Sequence, residues 1–133
     1  MEINNKSKFD LPNQLDNYLE RIFLIFLNRF NLINRKLFVE IGIFEADVIR
    51  KLNKRYRGKD LETDVLSFPM EPQSGEKLLG AVYFCYSIIE NKYEDVLFGF
   101  CFLFAHSLLH LIGYEHNEEM FSIQDEIIRE VFE

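Results

Sequence analysis

VLFGFCFLFAHSLLHLIGYEH, residues 96–116, decides the fold, because two architectures compete for it. From Val96 to Tyr114 no residue is formally charged, and the run approaches the ~20 residues needed to cross a bilayer. His106, Ser107 and His110 would then lie well inside lipid, and no basic cluster flanks either end. A helix buried in the core of a small soluble domain accounts for the same letters without that penalty. This reading predicts a central apolar helix around which the rest of the chain packs, with no membrane partner.

Working outward, SIIENKYEDVLFGFCFLFAHSLLHLIG (87–113) is helical with a break near Asn91 to Asp95, and NEEMFSIQDEIIREVFE (117–133) closes the chain as a helix. On the other side, LLGAVYF (78–84) and TDVLSFP (63–69) read as strands, the second ended by Pro69. Between them EPQSGEK (71–77) supplies turn residues. LFVEIGIF (37–44) puts Val39, Ile41 and Ile43 on one side of a further strand. Leu15, Leu19, Ile22, Phe23, Phe26, Leu27 and Phe30 recur at helical intervals. EADVIRKLNKRYRG (45–58) is helical through Val48, Leu52 and Tyr56, with Gly58 as its stop. The pattern is an α+β domain, a small mixed sheet covered by helices. No repeat, low-complexity run or composition shift divides it, so residues 1–133 are expected to form one domain.

Composition agrees. The 133 residues are 48% hydrophobic and 15% aromatic, too apolar for a disordered chain. Cys85 and Cys101 lie far apart among apolar neighbours, as free thiols of a reducing compartment do. The N-terminus lacks an apolar signal core, and a cytoplasmic location is expected. The net charge of −7 means that any nucleic-acid contact must come from a local basic patch.

All three histidines fall within residues 106–116. His106 and His110 are four apart on a helix, so their rings project from one face, one turn apart. Gly113 can end the helix in a left-handed conformation, and His116 lies three residues further, in reach of the same point. Three protein donors with a fourth position open describe a catalytic zinc site rather than a structural one. Three imidazoles suit zinc best; nickel, cobalt and copper are alternatives. Glu115, Glu118, Glu119 and Asp64 are candidate acceptors for the far ring nitrogens.

The spacing equals that of metzincin proteases, but those carry Glu directly after the first His as general base. This chain has Ser107 there, and a serine hydroxyl cannot take a proton from metal-bound water at neutral pH. The metal site is expected; peptide hydrolysis is not.

Positions 50–59, RKLNKRYRGK, hold six of the fifteen Lys and Arg residues. Arg50, Lys54 and Arg57 share a helical stripe with Lys51, Arg55 and Lys59 beside it, a candidate phosphate-binding surface. Arg57 is the leading phosphate clamp, because a guanidinium matches phosphate bidentately.

NKRYRGKDLETDVLSFP (53–69), LLGAVYF and HSLLHLIGYEH resemble the three signature blocks of the YbeY family, bacterial metal-dependent endoribonucleases that mature ribosomal RNA. The family pattern falls on Asn53, Tyr56, Arg57, Asp60 and Thr63 to Phe68 without a gap. The resemblance spans about residues 37 to 120. It implies a small mixed four-stranded sheet with about five helices and a zincin-like metal site. The implied zinc ligands are His106, His110 and His116, the implied catalytic arginine is Arg57, and the implied cofactor is one zinc ion. Three departures stand out: Ala81 for a usual Asp, Ser107 for a usual Gly, and Glu115 for a usual Asp. The first puts an accessory acid–base or substrate-orienting role at that position in doubt.

Residues and resemblance together point to hydrolysis of single-stranded RNA in ribosomal RNA maturation and ribosome quality control. Arg57 would hold the phosphate, with Arg50 and Lys54 gripping the strand, and ribosomes or assembly factors would be partners; no DNA partner is expected. No obvious general base appears, although a carboxylate such as Glu115 could serve. Two alternatives remain: an RNA-binding ribosome-assembly factor with a structural metal, and a metallohydrolase of other substrates.

Overall fold

The computed structural model describes residues 1–70 and 77–133, so most of the turn expected at 71–77 lies outside the described residues. The elements are β1 (Glu2–Asn5), α1 (Leu15–Arg29), a 3-10 turn (Ile33–Arg35), β2 (Phe38–Phe44), α2 (Ala46–Arg57), β3 (Val65–Pro69), β4 (Leu78–Cys85), α3 (Tyr86–Lys92), α4 (Val96–Leu111) and α5 (Glu118–Phe132). The sheet runs β1-β2-β4-β3; the first two pairings are parallel and β3 joins β4 antiparallel. The expected α+β class and mixed four-stranded sheet are therefore present.

β1 was not legible as a strand. Only Ile3 is half-buried in a four-residue polar stretch, and its partner, Ile41, is distant in sequence.

The period-2 pattern of β2 buries Val39, Ile41 and Ile43, each fully, against the face where Val82 and Phe84 also point. α1, α4 and α5 cover that face. Phe100, Phe104 and Leu108 of α4 are wholly buried, and each contributes about 1.5–3 kcal/mol of transfer free energy before chain entropy is set against it. The apolar run thus closes a core. It also breaks at Tyr93–Asp95, where α3 and α4 meet at 111°, and Asp95 caps α4 by accepting from the Phe98 amide at 3.1 Å. Among the described residues, no single helix is long and apolar enough to cross a membrane. Cys85 and Cys101 are buried free thiols as expected, and burial pushes the Cys101 thiol up to about 12.

Among the described residues, the second face of the sheet is covered by α2, with Ile88 of α3 beside it, through a small cluster of Ile49, Leu66 and Cys85. The inward stripe of α2 differs from the one the spacing predicts. Ile49 and Asn53 are buried, Leu52 is half-buried, and Tyr56 is 59% exposed. Asn53 turns inward because its amide donates to the Leu61 carbonyl at 3.0 Å, tying the chain after the helix to its flank.

β4 and α4 approach closely at Gly80. A Cβ there would stand 2.6 Å from the Phe68 carbonyl oxygen and 2.7 Å from a Leu111 methyl. The leucine can move; the carbonyl is held by the β3–β4 ladder. Gly80→Ala should therefore destabilise the fold by about 1–3 kcal/mol, read as a fall in Tm of several degrees by calorimetry. An unchanged Tm would mean that β3 slides freely past β4.

Candidate metal centre

The last turn of α4 builds the centre. His106 and His110 lie one turn apart on the flank of α4 that leaves the core, and each ring is half-buried. Gly113 then takes φ 99°, a left-handed conformation that a Cβ would strain. Its amide donates to the His110 carbonyl at 3.0 Å and the Tyr114 amide donates to the Leu109 carbonyl at 3.0 Å. This paired closure ends the helix and turns the chain back. Two residues beyond Tyr114 comes His116, fixed because Asn117 caps α5 by accepting from the Met120 amide at 2.9 Å.

The three Nε2 atoms converge. His110 lies 3.0 Å from His106 and 2.8 Å from His116, and His116 lies 3.0 Å from His106. The far nitrogens show which form the rings take. The Tyr114 carbonyl can only accept, so at 2.9 Å it fixes the proton of His110 on Nδ1. Gln124 Oε1, 3.0 Å from His106 Nδ1, does the same for that ring. Two bare Nε2 lone pairs therefore face each other and His116 across about 3 Å, a repulsive arrangement that one cation at their common focus relieves. Burial is the first cause holding His106 and His110 below the usual imidazole range; neighbouring rings add to it, and for His110 so does the charge of Arg57. Both rings are then neutral donors at pH 7, the form that binds a metal. The donor set fits zinc.

The candidate acceptors Glu115, Glu118 and Glu119 are exposed and, among the described residues, hydrogen-bond none of the rings. Asp64 instead pairs with Lys92 at 2.8 Å, though its charge is felt at His106. The acceptors are Gln124 and the Tyr114 carbonyl, because helix geometry aims the far nitrogens at α5 and the returning chain rather than at solvent. Gln124 is 1% exposed and interrupts the apolar stripe Met120, Ile123, Ile127 of α5. A buried amide in such a stripe was the available signal. Gln124→Leu should leave the fold intact and weaken zinc affinity about 10- to 100-fold in a competition titration with a chromogenic chelator. Parental affinity would mean that the backbone alone orients the ring.

Ser107 is fully buried, and its hydroxyl finds no partner among the described residues. Phe121 of α5 was not singled out by sequence, yet its ring lies nearly parallel to those of His106 and His116, with centroids 6.4 and 6.1 Å away.

The basic stripe divides. Arg50 and Lys54 turn to Asp60, at 2.8 and 4.0 Å, and the Arg50 hydrogen bond is the leading cause that lowers the Asp60 carboxyl. Arg57 turns elsewhere, and its charge is felt at His110. Its guanidinium donates to the Ser67 carbonyl of edge strand β3 at 2.7 Å. The α2 helix ends there because Gly58, at φ 70°, receives the chain, with the Gly58 and Lys59 amides returning to the Lys54 and Asn53 carbonyls. Ala81, where the family's Asp was expected, pairs with Phe68 in the ladder and shares its face, the one turned to α2 and away from α4.

An α+β domain whose central helix and returning chain bring three imidazoles to one point is a zincin-like domain. The family profile described as Endoribonuclease YbeY matches residues 2–131. The chain is similar to Endoribonuclease YbeY of Ureaplasma parvum, 40% identical over 111 residues that cover 74% of this chain and 70% of that protein. Endoribonuclease YbeY of Ureaplasma urealyticum is 40% identical over 129 residues, covering 80% of this chain and 82% of that one. A solution structure from Thermotoga maritima aligns with a TM-score of 0.67 at 26% identity, covering 98% of this chain and 89% of that one. The chain belongs to the YbeY endoribonuclease family.

Proposed function

We propose that the protein is a metal-dependent endoribonuclease that prefers single strands and acts in ribosomal RNA maturation and ribosome quality control in the cytoplasm. One zinc ion is the cofactor, and ribosomal RNA, with ribosomes or assembly factors, is the partner. The observation that carries the reading is the convergence of three Nε2 atoms within 3.0 Å of one another, with the charge of Arg57 felt at His110, in a chain of this family.

His106, His110 and His116 would hold the cation, with Gln124 and the Tyr114 carbonyl keeping two of the rings in the donor tautomer. When bound, zinc supplies a Lewis acid and a water of lowered pKa. Arg57 would clamp the phosphate and neutralise charge that builds on its oxygens as the bond to the leaving group breaks. Arg50 and Lys54, held by Asp60, would add sequence-independent attraction further along the strand. A single strand fits better than a duplex, because the reacting phosphate must approach half-buried rings.

Two features argue against a peptide substrate. Arg57 occupies the Ser67 carbonyl that an added peptide strand would pair with on the outer edge of β3. Ser107 is sealed in the core at the position where a metzincin base would stand.

Cleavage of single-stranded RNA by the purified protein should stop on chelation and return when zinc is restored, and a duplex of the same sequence should be cut more slowly. Cleavage indifferent to chelation would sink the proposal. RNA binding by the metal-loaded protein without any cutting would favour the assembly-factor alternative.

A further inference from the structure

We propose that the open half of the sheet face beside α2 receives one unpaired nucleobase of the RNA, adjacent to the phosphate held at Arg57. The proposal rests on RNA being the substrate.

Among the described residues, α2 closes only part of that face, where Ile49, Leu66 and Cys85 are buried together. The remainder is a cleft of about 480 Å³, with Glu40, Tyr56, Phe68, Ala81 and Tyr83 among its walls. Its rings form a continuous series. Tyr56 meets Phe68 edge-on at 5.4 Å, and Phe68 meets Tyr83 at 5.6 Å. Tyr56 is 59% exposed, and with Phe68 and Tyr83 it makes an aromatic patch rather than a lone exposed ring.

Charge selects the occupant. Arg55 lies 5.4 Å from the Tyr56 ring centroid and Arg57 lies 5.9 Å from that of Phe68. Aromatic faces flanked by guanidinium groups match a base with phosphates on either side, the pattern of single-strand binding surfaces. An apolar helix of a protein partner would leave those charges without a counterpart.

The cleft and the candidate centre lie on opposite faces of β3, and Arg57 links them. β3 is the edge strand, Phe68 points to one of its faces, and the imidazoles lie beyond the other. Arg57 spans that edge: it lies over Phe68, donates to Ser67, and is felt as charge at His110. A phosphate at Arg57 would deliver its neighbouring base around β3 into the cleft. Ala81 keeps the floor apolar where a carboxylate would otherwise lie between Glu40 and Phe68, its ladder partners. The Tyr83 hydroxyl donates to Glu40 Oε1 at 3.0 Å, which fixes that ring as a wall.

Short single-stranded RNAs, each lacking one base at a different position, test this as kcat/KM of the zinc-loaded protein. A missing base at one position beside the cut should lower kcat/KM about 10-fold, and elsewhere it should matter little. Tyr56→Ala should lose a similar factor on intact RNA and become indifferent to that missing base, whereas Tyr56→Phe should behave as the parent. Uniform cleavage of all abasic RNAs, or parental kcat/KM in Tyr56→Ala, overturns the base cleft and leaves the nuclease reading standing. A defect of Tyr56→Ala confined to ribosomal particles, absent on naked RNA, would assign the face to a protein and overturn it too.

Binding supplies the second readout. RNA carrying 2-aminopurine at that position should lose fluorescence by stacking when bound to His110→Ala, and Tyr56→Ala in the same background should restore it. Such quenching in a protein that never cuts RNA would uphold the cleft while the nuclease reading fell. RNA bound without quenching, or no binding at all, overturns the cleft.

Discussion

Replacing His110 with alanine should abolish metal binding and RNA cleavage together. His110 is the vertex nearest both other donors, at 3.0 Å from His106 and 2.8 Å from His116, and it is the ring whose tautomer the Tyr114 carbonyl fixes. Two imidazoles remain in the variant, with water in the vacated position. Losing an orienting partner alone costs about 10- to 100-fold in affinity, so losing a donor should exceed 100-fold. The fold should persist, since the ring is only half-buried and Gly113 still ends α4. Metal analysis after dialysis and a cleavage assay on the same preparation check this. Stoichiometric zinc in the variant would contradict the assignment. Cleavage at the parental rate by this variant and by Arg57→Ala would expose a contaminating nuclease.

Arg57→Ala should keep the metal and lose most of the cleavage, about 100- to 1000-fold in kcat, the range for removing one donor aimed at developing charge. Among the described residues, Arg57 touches none of the metal-facing nitrogens, and its one side-chain hydrogen bond is to a carbonyl on the outer edge of the sheet. The structural loss is therefore small. Lysine at 57 should rescue only in part, because a point charge cannot meet two phosphate oxygens and lie flat over Phe68 as well. Zinc content equal to the parent, with kcat reduced, is the expected pair of readings. Parental kcat would remove Arg57 from the machinery.

The core of this arrangement could be read from the chain because its determinants are local. An i, i+4 histidine pair, a glycine that ends the helix and a third histidine three residues later lie within eleven positions, and helix geometry does the rest. The strand β2 was legible from Val39, Ile41 and Ile43, and the apolar run of α4 from its own letters. The features that the sequence does not display depend on distant partners. Gln124 reaches His106 across 18 residues, and only its place on the buried stripe of α5 marks it. β1 has too few apolar residues to show a period and is defined by β2. The stripe of α2 departs from its spacing because Asn53 turns inward to the Leu61 carbonyl, while Tyr56 faces outward. Asp60 as the shared partner of Arg50 and Lys54 depends on a turn that spacing does not encode. The aromatic cleft is assembled from α2, β3 and β4, which only the folded chain brings together.

Zinc-edge anomalous diffraction from crystals of the protein grown with zinc present tests the central claim most directly. One strong peak should stand about 2.0–2.1 Å from the Nε2 atoms of His106, His110 and His116 at once. A map with no peak there, and the three rings turned apart, would contradict it.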